Sequence, residues 1–507
     1  MSPPVDSLPR VCFPMDERTT ARHEQPSRQA VLSRLMVAAV ILLPAFKCLL
    51  TLPVDDPDVW WHLRAGQWIV EHRGLPTTDS FSAGGSGRPW VAYSWTAELL
   101  LYGLYSALGL RGLLVFTAAV SSALVASFHG LLRRVRPPGS LDLILALVAT
   151  LGLLPVLTPR PWLFTIWFFI LELDLLLTAG RTGDRRLLWW LVPLFVLWAN
   201  VHIQFVLGLV VLAMAAIEPL VARLLPVRRI DPEWRPVPFT FMLVLGVACV
   251  AATLVNPYHG RLYLVAAQLM GQSELWNLIQ ELVAMPFRSP SNWVVLAAAL
   301  AAAFALGWRR RFRPLVVMLF LLGAYLSFRS QRDVWLVLLV SLAILADTAA
   351  VIRPRAVARR VGWTVPVAAV LVVVLAGSFL ATQARLEKKV EEKFPVGAVR
   401  FLAAHRYPGP LFNRFSWGGY LIFFLPEYPV SIDGRTMVHG QKRLIRHFRT
   451  LRGKPEWKKD PELAAARLVV VPSRGPLAAL LQLAPRFRPV YQDRVATVFC
   501  ASDRPDS

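Results

Sequence analysis

The residues best placed to do chemistry lie in Thr51–Glu71, TLPVDDPDVWWHLRAGQWIVE. Asp55, Asp56 and Asp58 follow an apolar run, Leu35–Leu52, long enough to cross a bilayer. A carboxylate beside hydrocarbon is costly, so this position marks a water-filled cavity or a reacting group. Helix capping is the structural alternative. Asp56 suits an N-cap, Pro57 suits the first helical position, and Asp58 favours the positive end of the helix dipole. Capping uses one Asp or two and leaves a third. The functional reading makes one of them a general base, alone or with a metal or acceptor ligand beside it. A partly dry cavity raises such a carboxyl toward the operating range. Both readings can hold for the same residues.

Asp58, Trp61, His62 and Ala65 share a helix face at i, i+3, i+4, i+7 spacing. His62 can therefore bind a substrate with Asp58, or pair with it as a cap. Arg64 on the same helix joins the candidate substrate-binding residues. Trp60, Trp61, Trp68, Trp90 and Trp95 crowd this region, as headgroup-belt anchors or, for one, as a sugar-stacking surface. Other turns expected at the same membrane face hold Arg160 (in TPRP), Asn200, His202, Asn256, Tyr258, His259, Arg261, Arg329 and Arg332. Each Arg can snorkel to lipid headgroups. Together they can cradle the phosphate of a lipid-linked substrate, which suits bidentate guanidinium geometry. Arg332 precedes Asp333, so a structural pair is its alternative. Near the C-terminus, Asp433 and Arg435 read first as a salt bridge and second as ligand contacts.

The elements that must position these residues are membrane spans. The chain has 507 residues, 55% hydrophobic and 17% charged. Its net charge of +23 lies largely in short loops, where positive-inside bias explains it better than nucleic acid does. Arg clusters at 133–136, 181–186, 223–229, 308–313 and 353–360 alternate with turns of few cations. About eleven spans follow, the last over Trp363–Ala381. Met1–Arg34 reads as a disordered cytoplasmic tail, residues 35–381 as the transmembrane part with a first external loop at 54–110, and 382–507 as a small external α/β domain. The four cysteines, Cys12, Cys48, Cys249 and Cys500, show neither disulfide nor metal-ligand spacing. There is no P-loop, CxxC, HExxH or GxSxG motif.

With these features in view, the chain resembles the GT-C superfamily of polytopic glycosyltransferases, in particular bacterial members related to the protein mannosyltransferase and aminoarabinose transferase group. The resemblance rests on Asp55-Asp56-Pro57-Asp58 after the first span and on amphipathic helices in a large first external loop. It also rests on the motifs WANVHIQFVLGL, NPYHGRLY and WGGYLIFFLPEYPVSIDGR. It implies an all-α membrane domain with an extracytoplasmic C-terminal domain in a bacterial inner membrane, the N-terminus cytoplasmic. The donor it implies is a sugar on a polyprenyl phosphate or diphosphate, and the acceptor a glycan, lipid or protein. An Asp of the first loop would deprotonate the acceptor hydroxyl for inverting attack, and basic residues would stabilise the departing phosphate. The base falls on Asp56 first and Asp58 second. Some members use a divalent cation, so Mg²⁺ or Mn²⁺ on Asp56 and Asp58 is the matching expectation. A lipid-linked saccharide flippase needs the cavity but no base. A non-catalytic envelope assembly protein needs the carboxylates only as caps.

Overall fold

The computed structural model describes residues 28–135, 140–226, 230–309, 311, 313–351, 374, 376, 377 and 379–502. Thirteen helices precede residue 352 among them. They are α1 (Arg28–Thr51), α2 (Val59–His72), α3 (Trp95–Leu108), α4 (Leu110–Val135), α5 (Ser140–Leu153), α6 (Trp162–Thr182) and α7 (Leu191–Val201). They continue with α8 (Phe205–Leu224), α9 (Phe239–Thr253), α10 (Arg261–Met270), α11 (Pro290–Trp308), α12 (Pro314–Arg329) and α13 (Val334–Val351). Four of them, α4, α6, α8 and α11, are long and apolar enough to cross a membrane. The others are shorter, α5 and α7 being extended by 3-10 turns at Leu154–Val156 and Arg185–Trp190. Length alone therefore supports four spans, against about eleven read from the loop charges. Most of the expected last span, the N-terminal tail up to residue 27 and the 353–360 arginine cluster lie outside the described residues.

Helix α6 fixes the scale. At ~1.5 Å per residue its 21 residues run about 30 Å, the thickness of a bilayer core. Arg160 sits just before its start and Arg181 in its last turn. At the Arg181 end, Asp347 of α13 takes Arg181 at 3.0 Å, Arg309 at 2.6 Å and Arg313 at 3.0 Å. One carboxylate thus ties α6, α13 and the α11–α12 turn together. The Arg160 end carries the chemistry.

Helices α2 and α3 pack face to face. A Cβ on Gly66 would meet Glu98 O at 2.3 Å, so only glycine allows this approach. The C-terminal part contributes α14 (Gln383–Glu391), α15 (Val396–His405), α16 (Gly418–Phe424), α17 (Gln441–Leu451) and a four-stranded sheet. The strands are β1 (Leu411–Asn413), β2 (Leu468–Pro472), β3 (Phe487–Gln492) and β4 (Ala496–Ala501), in the order β1-β2-β4-β3. β1 runs parallel to β2, while β4 is antiparallel to both neighbours. Val469 faces Phe499 in register, and β2 is buried almost throughout. Strands β2 and β4 fall on the apolar runs Leu468–Val471 and Val495–Phe499. Strand β3, interrupted by Pro489 beside a register shift, did not show as one.

Two contacts lock the C-terminal part onto α2. Trp60, fully buried, enters a cage of Phe394, Tyr420, Phe423 and Phe424 with centroid distances of 5.7, 5.1, 6.0 and 5.4 Å. Gly419 lies so close that a Cβ there would meet Pro57 O at 2.9 Å.

Candidate active site

Helix α1 ends at Thr51, and Leu52, with a φ of 46°, turns the chain out of helical geometry. Asp55, Asp56 and Asp58 then lead into α2, whose N-cap position is Asp58 and not Asp56. The capping bond is shared differently from the expectation: Asp56 Oδ1 accepts the Asp58 N–H at 2.9 Å, and the Asp58 carboxylate caps nothing. Pro57 stands outside the helix. Capping thus consumes Asp56 and frees Asp58. Asp55 is drawn away from both by Lys393, at 2.5 Å.

Arg160 organises the rest. The rigid TPRP turn holds it with 7% of its surface exposed. Its Nε donates to Asp56 Oδ1 and Oδ2, both at 2.7 Å. Nη1 lies 2.8 Å from Asp58 Oδ2 and donates to Glu281 Oε2 at 2.8 Å, while Nη2 donates to Glu281 Oε1 at 2.6 Å. Three carboxylates therefore surround one guanidinium. Burial opposes the Arg160 charge, but Asp56, Asp58 and Glu281 outweigh it and hold its pKa well above the ordinary value. Expected as a phosphate ligand, Arg160 has its donors spent on carboxylates and acts as their spacer. Asp56 and Asp58, expected as ligands of Mg²⁺ or Mn²⁺, receive their positive charge from the same guanidinium. Among the described residues no group of three or more His, Cys, Asp or Glu is arranged to hold a metal ion.

The three carboxylates differ in access. The Asp56 side chain is 6% exposed, that of Asp58 26% and that of Glu281 37%. Burial pushes Asp58 up to about 7, against the pull of Arg160 and with help from Glu281 and Asp56. A carboxylate of that kind is a base poised near neutrality. Its other oxygen lies against the C-terminal part: a Cβ on Gly434 would meet Asp58 Oδ1 at 2.2 Å.

Arg332 lies at the same centre. The Arg160 and Arg332 guanidinium carbons stand 4.8 and 5.4 Å from the Trp162 ring centroid. The Arg332 backbone N–H donates to Glu281 O at 3.0 Å. Its Nε is buried without a hydrogen-bond partner. The alternative reading, a pair with Asp333, makes no close ion pair among the described residues; Asp333 Oδ1 accepts from Gln204 Nε2 at 3.3 Å. Arg332 is thus a cation in the centre whose Nε is not spent.

His62 and His202 line the buried side. His62 Nδ1 lies 3.0 Å from Glu98 Oε1, and its ring lies tilted against Trp61 with centroids 3.5 Å apart. Burial, then Arg160 and His202, hold His62 neutral, and burial pushes Glu98 up to about 8. The two form a neutral pair at pH 7, with the Glu98 proton shared toward the imidazole. His62 is therefore turned to Glu98, not to Asp58. His202 Nδ1 lies 2.9 Å from Thr165 Oγ1, which also accepts from Trp198 Nε1 at 3.0 Å. Burial and Arg332 hold His202 neutral as well.

The remaining expected residues make contacts within the scaffold. Asn200 accepts from Trp95 Nε1 at 3.0 Å and donates to Val196 O and Val255 O, both at 2.8 Å. Arg64 pairs with Glu71 at 3.3 Å. His259 is exposed, in a left-handed turn, with Nδ1 on Leu254 O at 3.1 Å, and makes no hydrogen bond to the cluster. Its neighbour Tyr258 clamps the first loop, donating to Pro76 O at 2.9 Å and accepting from Ala92 N at 3.2 Å. Sequence reasoning missed Glu281 and Glu98. Glu281 sits in the segment between α10 and α11, where an acid in an apolar stretch, NLIQELVAMPF, was the available signal.

No family profile and no curated protein matches the chain. Among solved structures it is similar to the archaeal oligosaccharyltransferase AglB from Archaeoglobus fulgidus, in complex with an inhibitory peptide and a dolichol-phosphate. The likeness covers 87% of this chain and 68% of that one, at 13% identity and a TM-score of 0.49. At that degree of overlap the chemistry has to come from the side chains themselves.

Proposed function

We propose that this chain is a multi-pass membrane glycosyltransferase. It moves a sugar from a polyprenyl-phosphate-linked donor to an acceptor hydroxyl at the external membrane face, with inversion. The observation that carries the reading is the pairing of two unequal groups at one centre. Asp58 is a half-open carboxylate held near neutrality, and Arg332 is a guanidinium with an unspent Nε. In this reading Asp58 takes the proton of the acceptor hydroxyl. That oxygen attacks the anomeric carbon, the carbon–oxygen bond to phosphate breaks, and its electron pair leaves with the phosphate. Arg332 meets the charge that develops there. Asp56 and Glu281 do not act on substrate; they fix Arg160, which fixes Asp58.

The test uses the purified full chain with a panel of polyprenyl-phosphate-linked hexoses and pentoses. Arg332→Ala is expected to slow transfer by about 10²–10³-fold, the usual cost of removing one donor to a developing anion. Transfer at the unmodified rate in that variant would rule out the assigned role.

A further inference from the structure

Beside Asp433, which His439 contacts, the first loop, the end of α10 and the start of α17 line an open groove of about 800 Å³. That volume falls in the ~300–1,000 Å³ range of ligand clefts. Its charged walls are Arg88, Lys442, Arg443 and Arg446, against Glu462. Glu462 satisfies Arg443 Nε at 2.7 Å and Arg446 Nη2 at 2.8 Å. Among the described residues the Arg88 guanidinium donates to the carbonyls of Val438 and His439, at 3.3 and 3.5 Å. Lys442 is exposed with no ion pair among the described residues. The excess positive charge continues along the chain, with eight Lys and Arg against three Asp and Glu from residue 441 to 462. Arg446, Arg449, Arg452 and Lys454 are all exposed.

The floor of the groove is wired to the active centre. A guanidinium only donates, so His439 Nδ1, 3.3 Å from Arg443 Nη1, accepts. His439 Nε2 faces both the Asp433 backbone N–H, at 3.1 Å, and Asp433 Oδ2, at 3.2 Å. Asp433 holds Arg435, and Gly434 between them touches Asp58.

We propose that this groove binds the acceptor, and that the acceptor is an anionic saccharide chain bearing carboxylate or phosphate groups. The assignment of acceptor rests on the transferase reading; the binding itself does not. A concave cleft lined by cations admits a polymer strand, which a flat bilayer surface cannot imitate. Charged groups entering it displace counterions, so binding weakens as salt rises.

The experiment measures binding of two labelled probes, an oligogalacturonate and a polyphosphate chain, to the detergent-solubilised full chain. The two probes separate carboxylate from phosphate recognition. The variants are the exposed-residue pair Lys442→Glu/Arg446→Glu, the control pair Arg185→Glu/Arg186→Glu just beyond the Arg181 end of α6, and Asp58→Asn. Salt-sensitive binding of at least one probe is expected. It should fall at least tenfold in Lys442→Glu/Arg446→Glu, and stay within twofold in the control and in Asp58→Asn. Equal loss in the control, unchanged affinity in the groove variant, or binding only to vesicles of anionic phospholipid would overturn the proposal. Intact probe binding with no sugar transfer by the unmodified chain would instead count against the transferase reading alone.

Discussion

Asp56 and Asp58 are two residues apart and have different fates because one oxygen matters. Asp56 accepts the N–H that starts α2 and both bonds from Arg160 Nε, so its lone pairs are spent on structure. Asp58 shares only one oxygen with Arg160 and keeps a quarter of its side chain open. The sequence resemblance ranked them the other way. Local sequence could not decide it, because the ranking depends on an arginine 104 residues away. The Asp58 carboxyl, raised to about 7 from its ordinary value, is protonated below that pH and cannot accept a proton there. Transfer measured as kcat/KM should therefore drop about tenfold per pH unit below ~7 and level off above it. A profile flat from pH 5 to 8 would exclude Asp58 as the base. Gly434 is the second residue-scale test. Gly434→Ala places a methyl 2.2 Å from Asp58 Oδ1, so activity should fall at least tenfold while the thermal unfolding midpoint moves little. Retained activity would show that Asp58 does not need its observed position.

At the scale of elements, the TPRP turn and α2 do the positioning. The sequence displayed both, since a proline on each side of Arg160 and a helical spacing after Asp58 are local signals. It could not display that Arg160 would be saturated by Asp56, Asp58 and Glu281, because those contacts join three separate segments. Removing the guanidinium leaves carboxylates clustered without compensation. Arg160→Met should cost about 3–5 kcal/mol of stability, read by denaturant or thermal unfolding, and Arg160→Lys should recover little because one ammonium cannot reach all three. A change under 1 kcal/mol would mean the carboxylates are solvated rather than held. Helix ends were legible where loop charge marked them, as at Arg133 and Arg134 in the last turn of α4 and Arg181 in that of α6. Strand β3 and the 3-10 turns were not, because their apolar pattern is short and broken by proline or tryptophan.

At the scale of the whole molecule, the C-terminal part is a wall of the active centre and not an appendage. Arg435 bridges Asp433 at 2.7 Å and Asp79 of the first loop at 2.8 Å, and it stacks on Trp90 at 4.7 Å. Arg435 and His439 outweigh burial and hold the Asp433 carboxyl well below the ordinary range, so this lock persists at any physiological pH. The expected salt bridge at Asp433–Arg435 is present; its reach to Asp79 and through Gly434 to Asp58 was invisible without the fold. Trp60 closes the same interface, and Trp60→Ala should cost about 3–5 kcal/mol and expose the 392–417 region to protease. Unchanged digestion would mean that the cage does not hold the two parts together.

The most direct measurement is single-turnover sugar transfer from a polyprenyl-phosphate donor by Asp58→Asn beside Asp56→Asn. Loss of the base predicts a drop of about 10²–10⁴-fold in Asp58→Asn with donor binding retained, and a loss in Asp56→Asn that tracks its unfolding. Transfer at the unmodified rate by a folded Asp58→Asn chain would contradict the account.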